Sequence, residues 1–226
     1  MPQDSPKTLT RRDSLITLAV TATGLMIPRA ALAQDTSQLL MGSDVCSLVP
    51  ETTEGPYYVA DRMIRSDIRE DRDGQPLLMR MQVVDPRCAP IEGARVDIWH
   101  CDAQGTYSAF GDGRGETFLR GTQMADARGV VEFVTIYPGW YPGRTVHIHF
   151  KVYLDAQTLL TGQIFFDDGN SEAIYASDPA YARSDRRRVV NRNDGIARRA
   201  GEASVATLSR GQNAYLAQLI VGVRDG

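Results

Sequence analysis

From residue 77 to residue 166 the chain breaks into short stretches of alternating apolar and polar residues, each ended by a turn rich in Gly, Asp or Pro. A period of two places alternate side chains on opposite faces of an extended backbone, and nothing in this region sustains a period of 3.6. Residues 94–100 are the clearest case: Val96, Ile98 and His100 alternate with Arg95, Asp97 and Trp99. Residues 77–84 (closed by Asp85-Pro86), 118–123, 130–136, 146–154 and 159–166 read the same way, and 212–223 reads as a final strand. Turns such as Asp126-Ala127-Arg128-Gly129 and Asp167-Asp168-Gly169-Asn170 separate them. The pattern predicts an all-β fold, a β-sandwich of mostly antiparallel short strands with long surface loops. Residues 171–212, polar and arginine-rich, are expected to wrap its surface with a short helix.

The first 33 residues differ in kind. Thr10-Arg11-Arg12 precedes an uncharged, mostly apolar run over 14–27, followed by Ala31-Leu32-Ala33. This is the layout of an export signal; the paired arginines point to the twin-arginine route, and the run is too short to span a bilayer comfortably. Residues 1–33 are therefore expected to be a cleaved signal peptide and residues 34–226 a single domain, periplasmic or secreted and not membrane-spanning. Gln34, rather than Cys, follows the cut, so no lipid anchor is expected. The three cysteines, Cys46, Cys88 and Cys101, permit one disulfide in an oxidising compartment, with all three pairings open. A net charge of -3 without a basic stripe gives no reason to expect nucleic-acid binding.

Chemistry concentrates in TIYPGWYPGRTVHIHF, residues 135–150. His147 and His149 are two apart in a β-branched setting, so in a strand both imidazoles face one side. Two such imidazoles are half a metal site. Neither His147 nor His149 is followed by the usual carboxylate partner in an HxD or HxE, and the one other histidine is His100. The neighbours are tyrosines instead: Tyr107, Tyr137 and Tyr141. A phenolate is a hard, strongly donating anion, and two of them beside two imidazoles favour a trivalent over a divalent metal.

Four blocks in this order resemble the intradiol ring-cleavage dioxygenases, the family of catechol 1,2-dioxygenases and protocatechuate 3,4-dioxygenases. They are TEGPYYV (53–59), DIWHCDAQGTYS (97–108), TIYPGWYPGRTVHIHF (135–150) and TGQIFF (161–166). The resemblance implies Fe(III) held by Tyr107, Tyr141, His147 and His149, with the P-G-x-Y-P frame favouring Tyr141 over Tyr137. It implies that Tyr141 is displaced when a catechol chelates the metal, that Arg144 stabilises the developing charge, and that Gln163 supports Arg144 or the substrate. Pro56, Tyr57 and Trp140 are expected to line the substrate pocket, although Trp140 is equally suited to packing its own turn. The implied partners are a small aromatic diol and O2, the product a muconate-type dicarboxylate, and a homo-oligomer is compatible with the family. Only five residues separate Tyr141 from His147, fewer than in typical members, which implies a more open site.

Two other readings compete. The phrases Glu92-Gly93-Ala94-Arg95-Val96 and Asp126-Ala127-Arg128-Gly129-Val130 also suit a non-catalytic prealbumin-like β-sandwich binding module of the cell envelope. Such a module has no use for two tyrosines, two histidines and an arginine in this order. A zinc hydrolase is the third reading, and nothing resembles its general base.

Overall fold

Among the described residues the sandwich forms from eight strands in two four-stranded sheets. A computed structural model of the chain describes residues 46–60, 62–185, 187 and 189–224; the expected signal peptide lies outside them. The strands are β1 (Pro76–Val84), β2 (Arg95–Trp99), β3 (Arg120–Met124), β4 (Val130–Ile136), β5 (His147–Leu154), β6 (Gln157–Phe165), β7 (Thr207–Arg210) and β8 (Tyr215–Gly222). One sheet has the order β4-β1-β8-β7 and the other β3-β2-β5-β6. Adjacent strands are antiparallel except for β1 and β8, which run parallel.

Alternation explains which side chains meet. Met79, Met81 and Val83 of β1, Phe133 of β4 and Leu219 and Val221 of β8 share one buried cluster with Val96 and Ile98 of β2, Ile148, Phe150 and Val152 of β5, and Ile164 of β6. The inner faces of the two sheets thus make a single core. The intervening residues of β2, β5 and β6 must then point outward from the second sheet. Trp99 pairs with His149, and His149 with Gln163, so three strands deliver one row of functional side chains to that outward face.

Residues 62–76, which carry no strand pattern, close one side of the sandwich. The Thr122 amide of β3 donates to the Met63 carbonyl and the Val134 amide of β4 to that of Ser66, at 2.8 Å each. Two edges that would otherwise offer unpaired backbone groups are covered.

The C-terminal region departs from expectation. The Asp167-Asp168-Gly169-Asn170 turn is the start of helix α1 (Asp168–Ser177), with the Asp167 side chain accepting from the Asn170 amide as N-cap. Turn and cap compositions coincide because both exploit a short side-chain acceptor. A second helix, α2 (Gly195–Ala200), follows. Strand β7 was not predicted: it is a mostly exposed edge paired only to β8, and exposure removes the alternation that would reveal it. Cys46 and Cys88 form the disulfide, tying the leading segment to the β1–β2 connection, and Cys101 is a buried thiol. Among the described residues no helix is long and apolar enough to cross a membrane.

Candidate metal centre

Strand β5 supplies the fixed half of the site. His147 and His149 are both buried, and their Nε2 atoms lie 3.1 Å apart. His147 Nδ1 donates to the Thr145 carbonyl at 2.7 Å, which leaves the lone pair on Nε2 facing inward. His149 is held differently. Its Nδ1 is buried without a hydrogen-bond partner, while its ring stacks on Trp99 at a centroid distance of 5.0 Å and an interplanar angle of 8°. Gly55 lies on it from the leading segment: a Cβ there would stand 3.1 Å from His149 Cε1, and the backbone is left-handed at φ +71°. Only glycine meets both conditions cheaply.

Loops bring the phenols. Tyr141 Oη lies 3.1 Å from His147 Nε2. The Tyr107 ring packs edge-on against both Tyr141 (5.7 Å) and His149 (6.1 Å), and its hydroxyl is buried beside the Tyr141 phenol. Gly139 lets the two tyrosine loops touch, because a Cβ there would collide with the Asp102 and Ala103 carbonyls. The structure sets Tyr137 apart: it is buried in the core, with its hydroxyl 2.7 Å from Ser171 Oγ.

Tyr57 stacks on Tyr107 at 4.2 Å and meets Tyr141 edge-on at 6.2 Å, whereas Pro56 is exposed. Trp140 is buried under Arg183, whose guanidinium lies 4.0 Å from its ring, and it lines a cleft of about 270 Å³ together with Tyr141, Pro142, Gly143, Arg144, Asp185 and Val189. Pro142 and Gly143, the start of the short connection to His147, are exposed at its rim.

Arg144 stands over the donors. Its Nη1 is 3.4 Å from His147 Nε2, its Nη2 donates to Gln163 Oε1 at 2.6 Å, and its Nε donates to Asp194 Oδ2 at 2.8 Å. Gln163 Nε2 in turn donates to the Thr53 carbonyl at 2.9 Å.

Burial sets the protonation states. It lowers the His147 pKa to about 3, with Arg144 adding to the effect, and pushes His149 well below its ordinary value. It raises Tyr141 to about 12 and Tyr107 well above the usual phenol value. Both imidazoles are therefore neutral, their ligand form, and both phenols keep their protons unless a cation displaces them.

Among the described residues no three His, Cys, Asp or Glu side chains converge to hold a metal, and phenols pack against the two imidazoles. Two donors about 2.1 Å from one ion and at about 90–110° to each other lie roughly 3.0–3.4 Å apart. The Nε2–Nε2 and Nε2–Oη separations, both 3.1 Å, fall in that range.

Residues 53–207 match the protein family described as Dioxygenase. The chain belongs to the intradiol ring-cleavage dioxygenase family. Catechol 1,2-dioxygenase 1 of Acinetobacter lwoffii is 32% identical over 158 residues, covering 59% of this chain and 50% of that protein. An intradiol ring-cleavage dioxygenase structure from Tetranychus urticae superposes with a TM-score of 0.75 at 37% identity, over 79% of this chain and 95% of the other. The dioxygenase domain of a carbohydrate-binding fusion from Streptomyces sp. SirexAA-E superposes with a TM-score of 0.61 at 25% identity, over 80% and 100%. The chain spans about half the length of the curated relatives it matches. Iron is the metal this intradiol family uses, and a set of two phenols and two neutral imidazoles suits it.

Two residues that hold the intradiol site together were not singled out in the sequence. Asp194 is buried, within a polar, arginine-rich stretch of sequence; its one signal was an Asp placed before Gly-Ile-Ala, an N-cap composition. Its carboxyl sits below the usual range: burial alone would raise it, but the Thr145 amide and Arg144 outweigh that. Arg120 is also buried, donating from Nε to Ser108 Oγ (2.8 Å), from Nη2 to the Ser108 carbonyl (2.7 Å) and from Nη1 to the Tyr57 carbonyl (2.6 Å). An arginine beginning a strand gives no sequence sign of such a clamp. His100, the last residue of the 94–100 alternation, is fully buried between the Cys101 carbonyl and Thr135 Oγ1.

Proposed function

We propose that this protein is an exported, non-haem ferric dioxygenase that opens a catechol-type ring between its two hydroxylated carbons. Both atoms of O2 enter the product, a cis,cis-muconate-type dicarboxylate. The observation that carries this reading is the convergence of two phenols and two neutral imidazoles beside a guanidinium, with Nε2–Nε2 and Nε2–Oη separations of 3.1 Å. Tyr107, Tyr141, His147 and His149 would hold ferric iron there, and it would supply a Lewis acid for a chelating diol and activate its ring toward dioxygen.

The chain's own residues do the rest. His147 and His149 donate without competing protons, because burial keeps them neutral. Tyr107, fully buried and stacked under Tyr57, is the donor that stays. Tyr141 is half-buried at the cleft and is the donor that yields to the substrate. With its pKa raised to about 12, a Tyr141 phenolate would take up a proton readily and would serve as base for a substrate hydroxyl. Arg144, permanently charged and fixed at two edges, offsets negative charge on the bound diol without a protonation step. Relatives named for catechol support that substrate class, and the exposed Pro142-Gly143 rim supports tolerance of ring substituents.

Metal analysis with a visible spectrum tests the proposal. Purified protein is expected to carry iron and a tyrosinate-to-iron charge-transfer band that changes on adding catechol, with oxygen uptake and muconate absorbance. Iron-free, colourless protein after expression with added iron would overturn it. Export through the twin-arginine route is supported by the pattern of residues 1–33 and by the Cys46–Cys88 disulfide, which needs an oxidising compartment. The mature protein should begin at Gln34, and replacing Arg11 and Arg12 by lysines should leave it in the cytoplasm.

A further inference from the structure

Asp194 lies on a segment distant in sequence from the donors, yet both of its oxygens are used. Oδ2 accepts from Arg144 Nε at 2.8 Å and from the Thr145 amide at 3.0 Å, while Oδ1 accepts from the Ile196 and Ala197 amides at 2.8 and 3.1 Å. One oxygen therefore caps α2 and the other grips the residues just before β5. Asn191 adds to the grip, since its Oδ1 accepts from Thr145 Oγ1 at 2.9 Å. Thr145 carries the carbonyl that fixes His147 Nδ1, at 2.7 Å. The side chain of Asp194 is 2% exposed against 17% for Arg144, so the pair is screened from solvent. With Nε on Asp194 and Nη2 on Gln163, the guanidinium can neither rotate nor withdraw, and Nη1 is the corner left toward the donors.

We propose that Asp194 is a positioning residue for the ring-opening reaction: it aims Arg144 at the bound diol and couples the α2 segment to the site. The inference rests on the function proposed above. It assigns no metal-binding role to Asp194, whose influence on the reaction runs through Arg144.

Asp194→Asn separates positioning from capping. Asparagine is as good an N-cap as aspartate, so one oxygen still serves α2. The other position becomes an NH2 group facing two donors, the Arg144 Nε–H and the Thr145 N–H, and Arg144 loses its anchor.

The test compares wild type, Asp194→Asn, Arg144→Gln and the double variant by iron content, visible spectrum, anaerobic titration with catechol and steady-state oxygen uptake. Asp194→Asn is expected to keep its iron and its resting band, to bind catechol with an altered charge-transfer band, and to lose about 10- to 100-fold in kcat. In the Arg144→Gln background the same change is expected to cost less than about 2-fold. An undiminished loss in that background, loss of iron, or a wild-type kcat in Asp194→Asn would each overturn the positioning role. Wild type without oxygen uptake would instead overturn the function itself, so the two failures are distinct. If Asp194→Asn fails to fold, Asp194→Glu keeps the charge while displacing it, and a wild-type band and kcat there would also overturn the role.

Discussion

His147 and His149 leave a strand hydrogen-bonded on both sides, to β2 and to β6, whereas Tyr107 and Tyr141 leave loops outside the named strands. The two pairs end up at contact distance by different physics. Ladder register fixes the histidines: Trp99, His149 and Gln163 share one row because β2, β5 and β6 pair in that register, and a slip by one residue would turn both imidazoles into the core. The tyrosines are positioned by individual clamps, one from a side chain and one between loop backbones. Arg120 ties Tyr57 to the Tyr107 loop, and the Gly139 amide donates to the Asp102 carbonyl at 3.1 Å. The strand-borne half should therefore tolerate loss of a donor without loss of fold. The loop-borne half should be vulnerable at single residues well away from the metal.

Removing a strand-borne donor should give the largest effect. His149→Ala is expected to weaken iron binding more than the roughly 10- to 100-fold typical of an outer partner, while leaving the far-ultraviolet circular dichroism of the sheets unchanged. Unfolded protein would break the claim that the ladder alone sets this half.

Next comes the clamp. Arg120→Met strands the Tyr57 and Ser108 carbonyls and should cost about 1–3 kcal/mol in denaturant unfolding, together with a shifted visible band from misplaced Tyr107. A loss below about 1 kcal/mol would show that the loops are held by something else.

The pH dependence is comparable in size. Burial lowers the His100 pKa to about 4 from an ordinary 6.5. Between these values the unfolded chain binds a proton that the folded protein does not, so stability is full above about pH 6.5 and declines as pH falls toward 4. The contribution of His100 reaches about 3 kcal/mol. In iron-free protein His147 and His149 act in the same direction. His100→Gln should flatten the acid limb of a stability–pH curve; an unchanged limb would rule His100 out.

The smallest effect is expected at Gly55→Ala. A left-handed alanine costs roughly 1 kcal/mol, and its Cβ would press on His149 at 3.1 Å. A small fall in melting temperature should accompany a perturbed spectrum. A change in melting temperature alone would mean that the leading segment packs on the site without shaping it.

Much of this protein was legible before any coordinates. Short-range periodicity fixes strand identity, so six internal strands and the final one could be read from alternation, and His147 and His149 could be put on one face because a strand has period two. The one-face argument could not supply their partners. Tyr137 and Tyr141 are equally plausible by type, and only the path of the loop sends Tyr137 into the core and Tyr141 to 3.1 Å from His147. Asp194 and Arg120 stayed hidden for a related reason: a buried charge is defined by partners far along the chain, 49–50 residues away for Asp194 and up to 63 for Arg120. Pairing of Cys46 with Cys88, rather than Cys101, likewise waited on the return of the β1–β2 connection to the leading segment. Most strands and the donor chemistry they carry follow from neighbours along the chain, whereas exposed β7 and the start of α1, whose cap reads as a turn, do not. The fold added the Asp194 and Arg120 anchors and the 3.1 Å approach of Tyr141 to His147, because those contacts are set by loop closure across the outward face of one sheet.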